Sequence, residues 1–214
     1  MSKRVSKMGW IVMLGLLCLS LAIVPACGGG GGGGGGGGTT IPYKNDGAFI
    51  EETIGGLNSL DPIWHYDTAS GEAIDYMYDR LVAFDSGATD KFVPRLATEW
   101  TPSPDGKSIT FTIRDGVKFW NGDTLTADDV EYSFERGMVQ NRAGGPTWMF
   151  YMPLLDRMGS RSGGKVVVTF DQIENAVVTN GNKVTFNFVR PFPSTTFMQI
   201  LTQSSSSIVD NKVC

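Results

Sequence analysis

Strands are predicted where apolar and polar residues alternate along the chain. This period-two pattern is clearest over residues 109–113, where isoleucine and phenylalanine alternate with threonine. We expect this strand to form a hairpin with a short strand over 117–119. A second hairpin is predicted from 175–179 and 183–189, which an Asn-Gly turn connects. A further strand is predicted over 47–53.

Helices are predicted where apolar residues recur every three or four positions. The spacing predicts a helix over 72–84, a second helix that begins after Thr126, and short helices over 147–155 and 195–202. Thr126 and Asp129 have the spacing of a capping box. The apolar stripe expected on the second helix consists of Val130, Phe134 and Met138. Because hairpins alternate with helices, the chain is predicted to have an α/β fold of the mixed α+β kind.

The first 26 residues have the composition of an export signal. Lys3, Arg4 and Lys7 supply a positive start, and residues 10–24 form an apolar run broken only by a glycine and a serine. A transmembrane helix is the alternative, but the run is shorter than the roughly 20 residues that span a bilayer. We therefore predict a signal peptide over residues 1–26.

A lipid anchor is predicted at Cys27. Residues 24–27, Val-Pro-Ala-Cys, are similar to a bacterial lipobox, in which the cysteine is acylated and becomes the new N-terminus. The protein is then exported and held at the outer face of the cell membrane, or is periplasmic. Ordinary signal cleavage that leaves a free thiol is the alternative. The 11 glycines within residues 27–46 are typical of a flexible tether of roughly 18 Å.

The charge balance argues against nucleic acid as a partner. The chain has 18 basic and 22 acidic residues, a net charge of −4. Residues 1–26 contribute three of the basic residues and no acid, so the rest of the chain has a net charge of −7. Binding to nucleic acid needs a basic face.

A catalytic centre is not indicated by the polar residues. The single histidine, His65, is predicted to be a surface or loop histidine, since no Gly-x-Ser-x-Gly elbow accompanies it. Asp128 and Asp129 are neighbours at a predicted helix start, where capping explains them. Glu51 and Glu52 are neighbours on a predicted strand and face opposite sides. No spacing of cysteine, histidine or acidic residues suits zinc or calcium. We expect no enzymatic activity, no cofactor and no metal.

Aromatic residues cluster in or beside predicted turns. These residues are Trp64, Tyr66, Trp120, Trp148, Phe150 and Tyr151. Aromatic side chains near loops often line a ligand cleft. Packing of the loops onto the core is the alternative for each residue.

Several short motifs follow one another in a specific order. They include Leu-Asp-Pro at 60–62, the segments 93–100 and 103–107, the stretch 110–136 with its Asn-Gly-Asp turn, and Arg-Pro-Phe-Pro at 190–193. Together they resemble the signature region of family 5 extracellular solute-binding proteins, the peptide- and nickel-binding receptors of ABC importers. The resemblance spans essentially all of residues 47–210.

The resemblance implies a two-lobed, periplasmic-binding-protein-like fold that closes on its ligand by a hinge motion. It also implies a receptor that delivers oligopeptides or related solutes to the permease subunits of an ABC importer. Because family members are much longer, residues 47–214 are expected to be the N-terminal part of lobe one, incomplete in a truncated product. A lipid-anchored surface protein or a remnant without a transport role is the alternative.

Ligand-binding residues are also implied by the resemblance. The loop after Leu-Asp-Pro is similar to the family segment that lies along the ligand backbone, which points to Tyr66, Asp67, Thr68 and Ala69. The aromatic stretch after the predicted long helix approaches the cleft in relatives, which points to Trp148. Peptide, nickel chelate, haem and oligosaccharide ligands all occur in relatives and stay open, although a single histidine argues weakly against bare metal.

Overall fold

Helices and short strands alternate through residues 55–214, the part of the chain that the computed structural model describes. The helices are α1 (Thr68–Met77), α2 (Ala127–Gln140), α3 (Trp148–Leu155), α4 (Phe170–Glu174) and α5 (Ser194–Leu201). The strands are β1 (Val82–Phe84), β2 (Phe92–Pro94), β3 (Ala97–Pro102), β4 (Ser108–Ile113), β5 (Arg161–Ser162), β6 (Lys165–Val166), β7 (Val177–Asn180) and β8 (Lys183–Asn187). A 3₁₀ turn spans Ser204–Ser206. The predicted strand over 47–53, the signal peptide and the tether lie outside the described residues.

Four antiparallel strands form the main sheet, in the order β3-β4-β8-β7. Strand β4 buries alternate residues, as its sequence pattern predicts. The predicted hairpin β7–β8 is confirmed, and Gly181 takes a φ of 63° in its turn. The hairpin predicted between 109–113 and 117–119 is wrong. Both edges of β4 are occupied by β3 and β8, and Lys118 forms only an isolated bridge to Thr124.

The helix predicted over 72–84 is only partly correct. Helix α1 begins at Thr68 and ends at Met77, and the chain then enters strand β1. Leu81 fits the helical spacing, but its carbonyl oxygen accepts hydrogen bonds from the N–H groups of Arg95 (3.1 Å) and Ala97 (3.0 Å). Pairing with a distant segment therefore decides the conformation of these residues against their local pattern.

Helix α2 packs its apolar stripe against the sheet and the neighbouring helix. Val130, Phe134 and Met138 are buried, as predicted. The Phe134 ring meets the rings of Phe150 and Phe186 edge-on, at centroid distances of 5.1 and 4.8 Å. The core of the described residues thus lies between the sheet and its helices.

The start of α2 has the capping box that the sequence predicts. The Thr126 N–H donates to Asp129 Oδ2 at 2.7 Å. Asp129 is almost fully buried, and its other oxygen accepts from the Asn211 N–H at 3.0 Å. The cap therefore also holds the last residues of the chain against the helix.

The loop before α1 packs closely on α2. Ile63 is buried over Gly137, where an added Cβ would lie 2.7 Å from Ile63 Cδ1. Any larger residue at position 137 would force the Ile63 side chain to move. Among residues 55–214, no helix has the length and apolar character that crossing a membrane requires.

Candidate functional site

The loop over residues 58–67 is held by hydrogen bonds to short polar side chains. The Ser70 hydroxyl accepts from the N–H groups of Asn58 (2.8 Å) and Ser59 (3.2 Å). The Asp67 carboxylate caps α1 by accepting from the Ser70 N–H at 2.9 Å, and this hydrogen bond lowers the pKa of Asp67. These contacts set the path of the loop across the start of α1.

An ion pair ties the same loop to α2. The Arg136 guanidinium donates to both oxygens of Asp61, at 3.1 and 2.5 Å, and the side chains are 13% and 29% exposed. Burial opposes the charge on Asp61. The hydrogen bonds from Arg136 and the Ile63 N–H outweigh burial and hold the pKa of Asp61 below its usual value. The Asp61 carbonyl oxygen accepts from the N–H groups of Trp64 and His65, so this residue organises the turn.

Trp64, Tyr66 and Trp148 are exposed aromatic residues of this loop and of the start of α3, and we call them together the aromatic face. Trp64 and Tyr66 flank the buried His65 and are 44% and 56% exposed. Trp148, at the start of α3, is 38% exposed. Its Nε1 donates to Tyr66 Oη at 3.2 Å. The structure thus joins two of the predicted ligand-binding residues across 82 positions of sequence.

A cation lies over one end of the aromatic face. The guanidinium carbon of Arg142 is 5.4 Å from the centroid of the Trp64 ring, a cation–π arrangement. Arg142 also donates to the Trp64 carbonyl oxygen, and Trp64 Nε1 donates to Gln140 Oε1. Arg142 and Gln140 were not among the residues predicted from the sequence. No motif marks them, and only the packing of the loop on the end of α2 brings them to Trp64.

His65 joins the loop to the 3₁₀ turn near the end of the chain. Its ring is 4% exposed, and its Nε2 lies 2.6 Å from Ser204 Oγ. Gly71 makes room for this contact, since an added Cβ would lie 3.3 Å from Ser204 Oγ. His65 Nδ1 has no hydrogen-bond partner in the described part of the chain, so no acid completes a Ser-His-Asp arrangement. His65 is a loop histidine, as predicted, but it is buried.

The other predicted site residues have different surroundings. Thr68 is exposed in the first turn of α1, beside the aromatic face. One oxygen of Asp67 is occupied by the helix cap. The side chain of Ala69 is buried, 6% exposed. Cys27, the predicted lipidation site, lies outside the described residues.

The remaining turn aromatics divide between the core and the surface. Phe150 and Tyr151 are fully buried, so packing onto the core explains both. Trp120 is fully exposed on a turn next to the β-bridge of Lys118.

Within residues 55–214, no group of three or more histidine, cysteine or acidic side chains is placed to hold a metal ion.

Comparison with known proteins points to one family. The family described as bacterial extracellular solute-binding proteins, family 5 Middle, matches residues 91–213. Di/tripeptide-binding protein 1 of Pseudomonas aeruginosa (strain UCBPP-PA14) is 31% identical over 154 residues, which are 65% of this chain and 28% of that protein. Heme-binding protein A of Haemophilus influenzae is 41% identical over 80 residues, 35% of this chain and 14% of that protein.

The fold is similar to that of solved binding proteins. One is the ABC transporter-associated periplasmic binding protein DppA from Helicobacter pylori, in complex with the peptide STSA. It matches with a TM-score of 0.54 at 24% identity, over 73% of this chain and 29% of that chain. The likeness confirms the predicted mixed α/β fold as part of a periplasmic-binding-protein fold. The chain spans about a quarter of the length of the curated relatives it matches.

Proposed function

Because the chain belongs to family 5 of the bacterial extracellular solute-binding proteins, we propose that it acts as an extracytoplasmic receptor that delivers oligopeptides to an ABC importer. The family resemblance noted in the sequence is confirmed by this membership. Relatives of the chain are solute-binding proteins rather than enzymes, so the prediction that it is not an enzyme is also confirmed.

The aromatic face is the observation that carries the proposed ligand class. Exposed rings of Tyr66 and Trp148, held in one orientation by a hydrogen bond, offer flat apolar surface to a bound ligand. A peptide suits such a surface, because stacking on an aromatic ring does not require one particular ligand side chain. Relatives described as di/tripeptide-binding support a short peptide as the ligand.

Peptide titration of the full chain tests this proposal. Isothermal calorimetry with a pool of short peptides should detect binding, and Tyr66→Ala or Trp148→Ala should weaken it roughly tenfold. Trp120→Ala is the matched control, since it removes a fully exposed indole away from the aromatic face. Equal losses in all three variants would contradict a binding role for the aromatic face.

A second titration separates the ligand classes. Haem is added to the full chain while its absorbance spectrum is recorded, because one relative is described as heme-binding. The proposal expects peptide binding without haem binding. Binding of haem but not of peptides would contradict a peptide ligand and indicate haem instead. Binding of neither would favour a surface protein without a transport role.

The proposal also includes export and anchoring. Residues 1–26 serve as a signal peptide, Cys27 carries the acyl chains, and residues 27–46 tether the binding domain to the membrane near the permease subunits. Support comes from the charge and apolar pattern of this segment. Mass spectrometry of the N-terminal peptide should find acylated Cys27, and Cys27→Ala should release the protein from membranes. An unmodified thiol at Cys27 would contradict the anchor.

A further inference from the structure

Three exposed cations lie close together in the segment after α3. Arg157, Arg161 and Lys165 fall within residues 157–166, a stretch without any acidic residue that we call the basic hairpin. No ion pair joins these three side chains to a carboxylate in residues 55–214. The preceding acid, Asp156, is already paired with Arg190. The hairpin is therefore a local positive patch on a chain with a net charge of −4.

Exposed apolar side chains lie in the same segment as the cations or next to it in sequence. Met158 is 67% exposed and Val166 62% exposed within the basic hairpin, and Phe170 just beyond it is 56% exposed. A hollow of about 340 Å³ beside the hairpin is lined in part by Met152, Met158 and the two arginines. Exposure of apolar groups to water is unfavourable. An exposed apolar patch next to unpaired cations therefore indicates a binding surface.

The basic hairpin has a defined shape. Strands β5 and β6 pair across a two-residue turn in which Gly163 and Gly164 have φ values of 55° and 79°. Positive φ at both positions is the geometry of a tight hairpin turn, which glycine adopts without strain. The Val167 N–H donates to the Ser160 carbonyl oxygen at 2.8 Å and closes the base. Lys165 thus stands beside the tip of a short projecting arm.

We propose that the basic hairpin docks on an anionic lipid membrane. Cations attract the phosphate groups of anionic lipids, and adjoining apolar side chains enter the boundary between headgroups and acyl chains. An anionic membrane offers both kinds of contact together, phosphate groups for the three cations and an apolar boundary for Met158 and Val166.

Vesicle co-sedimentation tests the proposal without the proposed anchor. The protein used comprises residues 27–214 with Cys27→Ser, which retains the hydrophobic core of residues 55–214 but lacks the apolar signal segment. It is mixed with vesicles of phosphatidylcholine alone or of phosphatidylcholine with phosphatidylglycerol, at low and high salt. We expect binding only to the anionic vesicles, with loss at high salt.

Charge variants locate the contact. Each cation near a membrane surface strengthens binding roughly fivefold, so Arg157→Gln/Arg161→Gln/Lys165→Gln should weaken it at least tenfold. The matched control Lys91→Gln/Lys107→Gln/Lys183→Gln removes the same charge from other exposed positions and should stay within about twofold of the parent. Circular dichroism verifies that each variant is folded.

Apolar variants distinguish docking from plain electrostatic attraction. Met158→Ser/Val166→Ser keeps all three cations and should weaken binding several-fold. Equal binding to neutral and anionic vesicles, or equal losses in the hairpin and control charge variants, would overturn the proposal. An unchanged affinity in Met158→Ser/Val166→Ser would overturn the apolar part of the contact. Peptide affinity is measured separately, so failure here leaves the receptor proposal intact.

Discussion

The indole Nε1 of Trp148 donates a hydrogen bond to Tyr66 Oη at 3.2 Å, joining the start of α3 to the loop before α1. Both side chains are substantially exposed, so the contact adds little to stability. Its effect is to hold two rings in one relative orientation before a ligand arrives. Such order lowers the entropy that binding must remove.

Tyr66→Phe keeps the ring but removes the hydroxyl that accepts from Trp148. We expect the free energy of unfolding to stay within about 0.5 kcal/mol of the parent, because the site is exposed. Peptide affinity, measured by calorimetry, should fall about threefold to tenfold. In a Trp148→Phe background the same change should have little further effect. Fully additive losses would show that the two rings act independently.

Arg136→Met breaks the ion pair with Asp61. We expect a loss of about 1–3 kcal/mol in the free energy of unfolding near neutral pH, because Asp61 is left half-buried without its partner. Urea denaturation measures this loss.

The same loss should depend on pH in one direction. The pKa of Asp61 is lowered in the folded chain, so its contribution is present above the usual carboxyl pKa of 3.8 and disappears as pH falls through the lowered value. The difference between Arg136→Met and the parent should therefore shrink in acid. A difference that persists at the lowest pH would mean that packing of the Arg136 side chain, rather than the charge pair, carries the effect.

Glu135→Gln should stabilise the protein near neutral pH. Burial, together with the negative charges of Glu131 and Glu174, raises the pKa of Glu135, and its buried Oε1 has no hydrogen-bond partner in residues 55–214. Because its pKa is raised in the folded chain, the contribution of Glu135 to stability is most favourable below the usual pKa of 4.5. This contribution is lost as pH rises through the pKa of the folded state. We expect a gain of up to about 1 kcal/mol at neutral pH and none in acid. A gain of the same size at both pH values would contradict this cause.

Gly137→Ala should destabilise the chain although alanine favours helices. The added Cβ would lie 2.7 Å from Ile63 Cδ1, so the buried Ile63 side chain must change its rotamer or the loop must shift. We expect a cost of about 1–3 kcal/mol in thermal or chemical unfolding. Ile63→Val removes the clashing methyl group, and Gly137→Ala/Ile63→Val should therefore be more stable than Gly137→Ala alone. A double variant no more stable than Gly137→Ala would contradict the clash.

Some elements follow from sequence because their signals are local. The alternation over 109–113, the Asn-Gly turn before β8 and the capping box at Thr126 each depend on residues a few positions apart. Leu81 shows the limit of such signals. Its spacing is helical, but its carbonyl oxygen accepts hydrogen bonds from the N–H groups of Arg95 and Ala97. The signal peptide, the tether and the acylated Cys27 stay predictions.

The candidate site likewise contains some residues that the sequence indicates and others that only the fold brings together. Tyr66 and Trp148 were indicated by motifs in the sequence, whereas Arg142 near Trp64 and the burial of His65 against Ser204 were not. The sequence by itself determined the family, the strand and cap patterns and the charge balance, because these depend on residue types and short spacings. Only the tertiary structure decided the partners of β4, the end of α1 and the aromatic face, because each depends on contacts between residues distant in the chain.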